Sequence, residues 1–380
     1  MKHQIQSLIR PIGMLAGAII GAGVFSLPFV FERAGIVTGL CLLAIGATTY
    51  SILHLMYADI LLGAHGQHRF VGYVRRYLGV SWSYGAIMIA IVEMVCVLTI
   101  YLILSISFVH ILAPGLSPIA ALLIFWALGS LTMFVRLRRL ATIETMVTLG
   151  IISIMAALLV VGIYAGSGIG EEPLIHFDSL LFPLAAILFS LSGRVALPPL
   201  INYFKLRGAV QTSQVRTTVI WGTILPALSY AVFVIAVLAF AGPASEDAIT
   251  GILAYLPQWL VIGLGTLGFL TLWSSYIVVG LDVHDTLKYD LAAPTWLRLC
   301  VVVVAPVMLY LVGFTGFVEL VSFVGGLFLV IEGIAIIVLW RLAKAQGNVA
   351  GLINVSRPVL IFLWVVFILA LLGALKVGYY

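Results

Sequence analysis

Gly17-Ala18-Ile19-Ile20-Gly21-Ala22-Gly23-Val24-Phe25-Ser26-Leu27-Pro28 is an apolar stretch that begins as a helix and is poorly built to continue as one. Gly21 and Gly23 flank Ala22, and Pro28 follows, so flexible backbone and a missing N–H weaken the helical ladder in mid-span. The four-residue spacing of Gly13, Gly17 and Gly21 also suits a close-packing ridge. A second stretch, Phe189-Ser190-Leu191-Ser192-Gly193-Arg194-Val195-Ala196-Leu197-Pro198-Pro199, has the same plan. Small polar residues and a glycine interrupt an apolar helix, and prolines close it.

Working outward, apolar runs bounded by charge, Gly or Pro predict eleven spans: 11–32, 36–61, 81–112, 117–135, 142–165, 178–203, 216–241, 259–284, 297–313, 317–340 and 358–378. Charged residues make up 9% of the 380, where a soluble domain carries about a quarter, and the mean hydropathy is +1.23. Such a chain is an all-α integral membrane protein, a single domain over 1–380 whose first partner is the lipid bilayer. The pI near 9.1 does not indicate nucleic acid, because the basic residues lie in short loops. Lys2 and Arg10 precede a run too long for a signal peptide, which is read as the first helix. Sixteen of the nineteen Lys and Arg fall on one side, including Arg69, Arg75, Arg76, Arg136, Arg138, Arg139, Lys205, Arg207, Lys288 and Lys344. Glu171, Glu172, Glu246 and Asp247 fall on the other. This bias predicts a cytoplasmic N-terminus and an external C-terminus.

The interrupted helices are spans 1 and 6, which correspond if about 11–165 and 178–340 are repeats and 358–378 is an extra helix. Five spans per repeat force opposite orientations in the membrane, so the repeats are inverted. Paired breaks in matching helices of inverted repeats point to a binding site at the bilayer midplane. Unwound backbone there exposes N–H groups at a half-helix start, which favours a carboxylate. The candidate substrate contacts are therefore Gly21, Ala22 and Gly23 with Ser190, Ser192, Gly193 and Arg194.

Arg194 is the basic residue placed within a span, and it must be paired or face water. It either ties span 6 to Glu93 of span 3 or grips a substrate carboxylate in its planar fork. Glu93 is accordingly a structural partner, a substrate contact or a proton site. Glu332 in span 10 is a cavity residue or a buried structural carboxyl. Asp282, His284, Asp285, Lys288 and Asp290 end span 8 as a solvated helix end or a gate. His65-Gly66-Gln67-His68 has no further ligand beside it and reads as loop. Arg69–Leu78 reads as an amphipathic stretch on the inner face. Cys41, Cys96 and Cys300 lack metal-ligand spacing and read as small apolar packers.

The residues quoted from spans 1 and 6, with Ser274-Ser275 in span 8, resemble the amino acid/polyamine/organocation superfamily and its leucine-transporter fold. Within it they are most similar to the bacterial hydroxy and aromatic amino acid permeases. Ser192-Gly193-Arg194 departs from the Gly-Phe-His stretch common in that group, and span 1 lacks the Asp-Pro-Gly-Asn type of the metal-carrying relatives. The resemblance implies cation-coupled symport of a neutral or aromatic amino acid across a cell inner membrane, with no cofactor beyond a possible sodium ion. By resemblance, that ion would sit between Gly17 and Ile20 and the hydroxyls of Thr271, Ser274 and Ser275; the serines can equally bond back to their own helix. Span 5 has no lysine to stand in for the ion, which favours sodium, whereas the aromatic permeases as a group are usually proton-driven. An enzyme would need a convergent acid/base or metal constellation, and the seven histidines are scattered. A channel would need a filter loop, which is absent from the sequence.

Overall fold

The computed structural model describes residues 2–64, 69–133, 140–165, 174–208, 210–240 and 243–376. The described chain is helical with no strand, as a bilayer requires of segments that must satisfy their own backbone. Its helices are α1 (Lys2–Ile19), α2 (Leu27–Ala34), α3 (Ile36–Gly63), α4 (Phe70–Leu78), α5 (Val80–Leu112), α6 (Pro118–Met133), α7 (Leu140–Ala165) and α8 (Phe182–Leu191). They continue as α9 (Leu197–Leu206), α10 (Thr212–Leu238), α11 (Gln258–Tyr289), α12 (Thr295–Leu299), α13 (Ala305–Leu311), α14 (Phe317–Phe323), α15 (Leu329–Ala345) and α16 (Arg357–Lys376). Among the described residues, eight helices are long and apolar enough to cross a membrane, and a pair bent by 52°, Leu8–Ile19 with Ala22–Ala34, makes one more. The shorter apolar helices Pro118–Met133 and Thr295–Leu311 fill the two remaining places, so the eleven expected spans are all present as helix.

Packing follows a two-fold pattern. α1 packs on α10 and α7, and its counterpart α8 packs on α3 and on the turn between α14 and α15. α7 meets α10 as α15 meets α3, while α3–α10 and α5–α11 form the central crossings. Exchanging each of the first five spans with the one five places on maps these contacts onto one another. α16 lies outside the pattern, against α8 and α15.

Several local expectations need correction. The first helix begins at Lys2, well before residue 11. Spans 9 and 10 each contain a π-helical turn, Cys300–Val304 and Val324–Phe328. In span 10, Gly325 stands against the Ala185 carbonyl of α8 and Gly326 against Ala374 of α16, so a wider turn and two missing side chains let both helices approach. Cys41 and Cys300 are exposed on the helix surface instead of packed, and only Cys96 is buried. Arg136, Arg138, Arg139, Glu171, Glu172 and His65–His68 lie outside the described residues. α4 is amphipathic as expected: Phe70 and Tyr73 are buried, Arg75 and Arg76 exposed.

Candidate functional site

The two sequence breaks are real and they touch. α1 ends at Ile19, Ile20 and Gly21 leave the helix, and a 3₁₀ turn, Ala22–Ser26, leads into α2. α8 ends at Leu191, Ser192 is extended, and a 3₁₀ turn, Arg194–Ala196, leads into α9. A side chain on Gly23 would run into Ser190 and Phe189, so glycine here permits contact between the breaks. A side chain on Gly193 would meet Ile19 and His54. Ser26 donates to the Gly23 carbonyl at 2.8 Å, which steadies the turn.

Three side chains that the sequence reading passed over hold this junction. The Tyr230 hydroxyl of α10 donates to the carbonyls of Ile19 (2.9 Å) and Ser190 (3.0 Å), the exposed ends of both broken helices. The backbone N–H of Gly193 donates to His54 Nε2 at 3.2 Å. His54 Nδ1 therefore carries the ring proton and donates to Thr223 Oγ1 at 2.9 Å, whose hydroxyl goes to the Val219 carbonyl. Each looked in sequence like an ordinary residue of an apolar span. Spacing gave no signal, because what they share is a position facing the breaks.

The residues expected to contact substrate thus divide. Gly21, Ala22, Gly23, Ser190, Ser192 and Gly193 come together at the junction. Gly21 faces the Tyr101 hydroxyl and Ser275 Oγ. Arg194 instead turns towards the basic face. Its Nε meets Glu332 Oε2 at 2.5 Å, its Nη1 stands 4.0 Å from Asp282 Oδ2, and its guanidinium lies over Phe70. The expected Arg194–Glu93 pair is corrected: Glu332 is the partner, because it is the side chain of α15, not that of α5, that reaches the guanidinium. Nor is the end of α11 merely a solvated one. Asp282 is 6% exposed and binds Arg69 Nη1 at 2.8 Å, while Arg69 Nη2 reaches Asp285 at 3.0 Å. A ladder of charge so runs Glu332, Arg194, Asp282, Arg69, Asp285, joining α15, the α8–α9 break, α11 and the approach to α4. Below it a cavity of about 360 Å³ opens among Arg69, Tyr73, Asn202, Lys205, Asp285 and Tyr289.

Of the cation-binding residues suggested by resemblance, Thr271 donates to Leu267 O at 2.7 Å and Ser274 to Thr271 O at 3.1 Å. Both hydroxyls are turned back onto α11. Ser275 does reach the break, but beside Gly21 rather than at Gly17 and Ile20.

Solved structures share this architecture at low identity. A nucleobase-cation-symport-1 family transporter, Mhp1, in a closed conformation with bromovinylhydantoin bound, superposes with a TM-score of 0.64 at 15% identity, over 97% of this chain and 90% of that one. MhsT in complex with L-phenylalanine gives 0.64 at 14% identity over 98% of both chains. A manganese transporter of Eremococcus coleocola gives 0.66 at 15% identity, over 97% of this chain and 86% of that one. The fold is therefore that of the leucine-transporter class, with broken helices 1 and 6, the five-plus-five arrangement and one extra C-terminal helix. No curated protein sequence matches the chain. The family model described as transmembrane amino acid transporter protein matches residues 6–261, most of the chain, and the protein belongs to that family of transporters.

Proposed function

We propose that the protein is a secondary active transporter that carries an amino acid, neutral or aromatic, together with a sodium ion or a proton, by alternating access. The observation that carries this reading is the contact of two unwound helices in mid-membrane. The turn that starts at Ala22 has orphan N–H groups at its head, and these suit an α-carboxylate. Gly21 and Gly23 leave room beside it, and Tyr50, Tyr101 and Tyr230 supply aromatic walls and hydroxyls. The two repeats, about 11–165 and 178–340, would rock against each other around this point, opening towards the 360 Å³ cavity in one state. The membrane is the cell inner membrane, with the N-terminus and the lysine- and arginine-rich face cytoplasmic and the C-terminus outside.

The family supports an amino acid over the other cargoes named for proteins of this fold. A manganese ion would want several hard or imidazole ligands, and among the described residues no group of three or more His, Cys, Asp and Glu is arranged to hold a metal. A different small carboxylate remains the alternative substrate. Counterflow in proteoliposomes, run with each of the twenty amino acids, is the test. Exchange of one or a few neutral or aromatic amino acids is expected. Exchange of a non-amino-acid carboxylate alone would overturn the reading, and imposed sodium and proton gradients would identify the driving ion.

A further inference from the structure

We infer that the cavity at the inner ends of α3, α9 and α11 is a second amino-acid site, in which Lys205 takes the carboxylate and Asp285 the ammonium of a zwitterion. This deepens the transporter reading above and rests on it.

The cavity is a place apart from the junction. Its volume of about 360 Å³ lies among Arg69, Tyr73, Pro198, Lys205, Asp285 and Tyr289, within the roughly 300–1,000 Å³ of small-molecule sites. Among the described residues, none of the glycines and serines of the two breaks lines it. Arg194 and Asp282 stand between the two places, because the ladder passes through them from the α8–α9 break to Arg69 and Asp285. An amino acid can occupy the cavity while the ladder is closed.

The charges that face the cavity select its occupant. Arg69 is spent on the ladder, with Nη1 on Asp282 at 2.8 Å and Nη2 on Asp285 at 3.0 Å. Lys205 is exposed at the end of α9 and gives one of its three donors to the Leu61 carbonyl at 2.9 Å. That bond holds the ammonium against the wall and leaves donors for a carboxylate. Asp285 gives Oδ2 to Arg69, and its Oδ1 stands 3.5 Å from His284 Nδ1, so lone pairs remain for an ammonium. An anion alone would meet Asp285, and a cation alone would meet Arg69 and Lys205. A small molecule that carries both charges meets each with its opposite. The rings of Tyr73 and Tyr289 and the prolines that open α9 then form an apolar wall for a neutral or aromatic side chain.

The site also touches the ladder. Asp285 is its last rung, so an ammonium that draws on Asp285 competes with Arg69 for the same carboxylate. Occupancy of the cavity and the closure above it are thereby linked. Cargo released from the junction meets this station before bulk water.

Asn202, an exposed residue of the cavity wall, reports on the site. The test uses full-length protein in detergent, with Asn202→Cys in a cysteine-free background and a maleimide as reagent. L-Phenylalanine is the first probe, followed by the other nineteen amino acids. One or more should slow labelling, and the analogues lacking the carboxylate or the amine should need about tenfold more or beyond for the same protection. Lys205→Met should raise the half-protecting concentration about tenfold, and Lys205→Arg should restore it. Gly23→Ala, whose added methyl meets Ser190 at the break, should lose counterflow and keep protection. If Gly23→Ala fails to fold, the Lys205 variants and the analogues still decide. The proposal is overturned by absence of protection, by equal protection from the singly charged analogues, by indifference to Lys205→Met, or by loss of protection in folded Gly23→Ala. Each of these leaves the transporter reading intact as long as an amino acid exchanges in wild-type counterflow. Protection without any exchange would instead remove the reading beneath it.

Discussion

Tyr230 serves two carbonyls with one phenolic proton, and those carbonyls are the ends of the helices that the glycines break. Buried backbone C=O groups need partners, and at membrane depth water is scarce. A helix therefore can stop here only because another helix brings a donor to its end. Tyr230→Phe keeps the ring in its fully buried place and removes the donor alone. It should lower stability by about 1–3 kcal/mol, read as the thermal midpoint in detergent, and weaken substrate binding at the same junction. An unchanged midpoint would mean that water already satisfies Ile19 and Ser190. Arg194 illustrates the opposite difficulty for sequence reading. Its need for a partner follows from its charge alone, but the choice between Glu93 and Glu332 depends on how α5 and α15 are rotated about their axes. Composition carries no record of that rotation, and it is Glu332 that faces the guanidinium.

Broken helices were legible because glycine and proline act on their own backbone, so Gly21, Gly23, Pro28 and Gly193 announce themselves wherever they stand. The π turns at Cys300–Val304 and Val324–Phe328 were not. They arise from how α13, α14 and α15 fit their neighbours, which is a long-range matter. The same holds for the strap between α15 and α16. Asp59, fully buried near the end of α3, accepts from Trp340 Nε1 and from the Leu352 backbone N–H, both at 2.8 Å. Arg216 of α10 donates to the Leu352 carbonyl at 2.7 Å, so one loop is fastened to α3, α10 and α15 together. Asp59→Ala removes a charged acceptor from two N–H groups at once, which should cost about 3 kcal/mol or more. Limited proteolysis should then cut within 346–356 well before the wild type is touched. Cleavage at wild-type rates would show that the strap holds without Asp59.

At the scale of the molecule, the number of spans and the direction of each are one claim. An odd number of spans per repeat inverts the second repeat, and the charge bias then puts α9–α10, α11–α12 and α15–α16 connections on the same side as the N-terminus. Asp247 shows how different the opposite face is. It caps its own loop through Ser245, Ile249 and Thr250 and also accepts from Ser107 of α5, so the α10–α11 connection is ordered by an acidic side chain and carries no lysine or arginine. Single cysteines at exposed loop or helix-end positions of a cysteine-free background test the whole scheme with one reagent. Ser213→Cys and Gln346→Cys should react with an impermeant maleimide only in inside-out vesicles, and Ser117→Cys and Glu246→Cys only in intact cells. All four substitutions lie outside the buried core, so folding should survive them. Ser117 and Glu246 belong to opposite repeats, as do Ser213 and a cysteine placed near Arg75. Labelling of Ser117→Cys and Ser213→Cys from the same side would require a missed or surplus span between α6 and α10. The inversion would then fail, and with it the reason for expecting the two breaks to meet as the halves of a single midplane site.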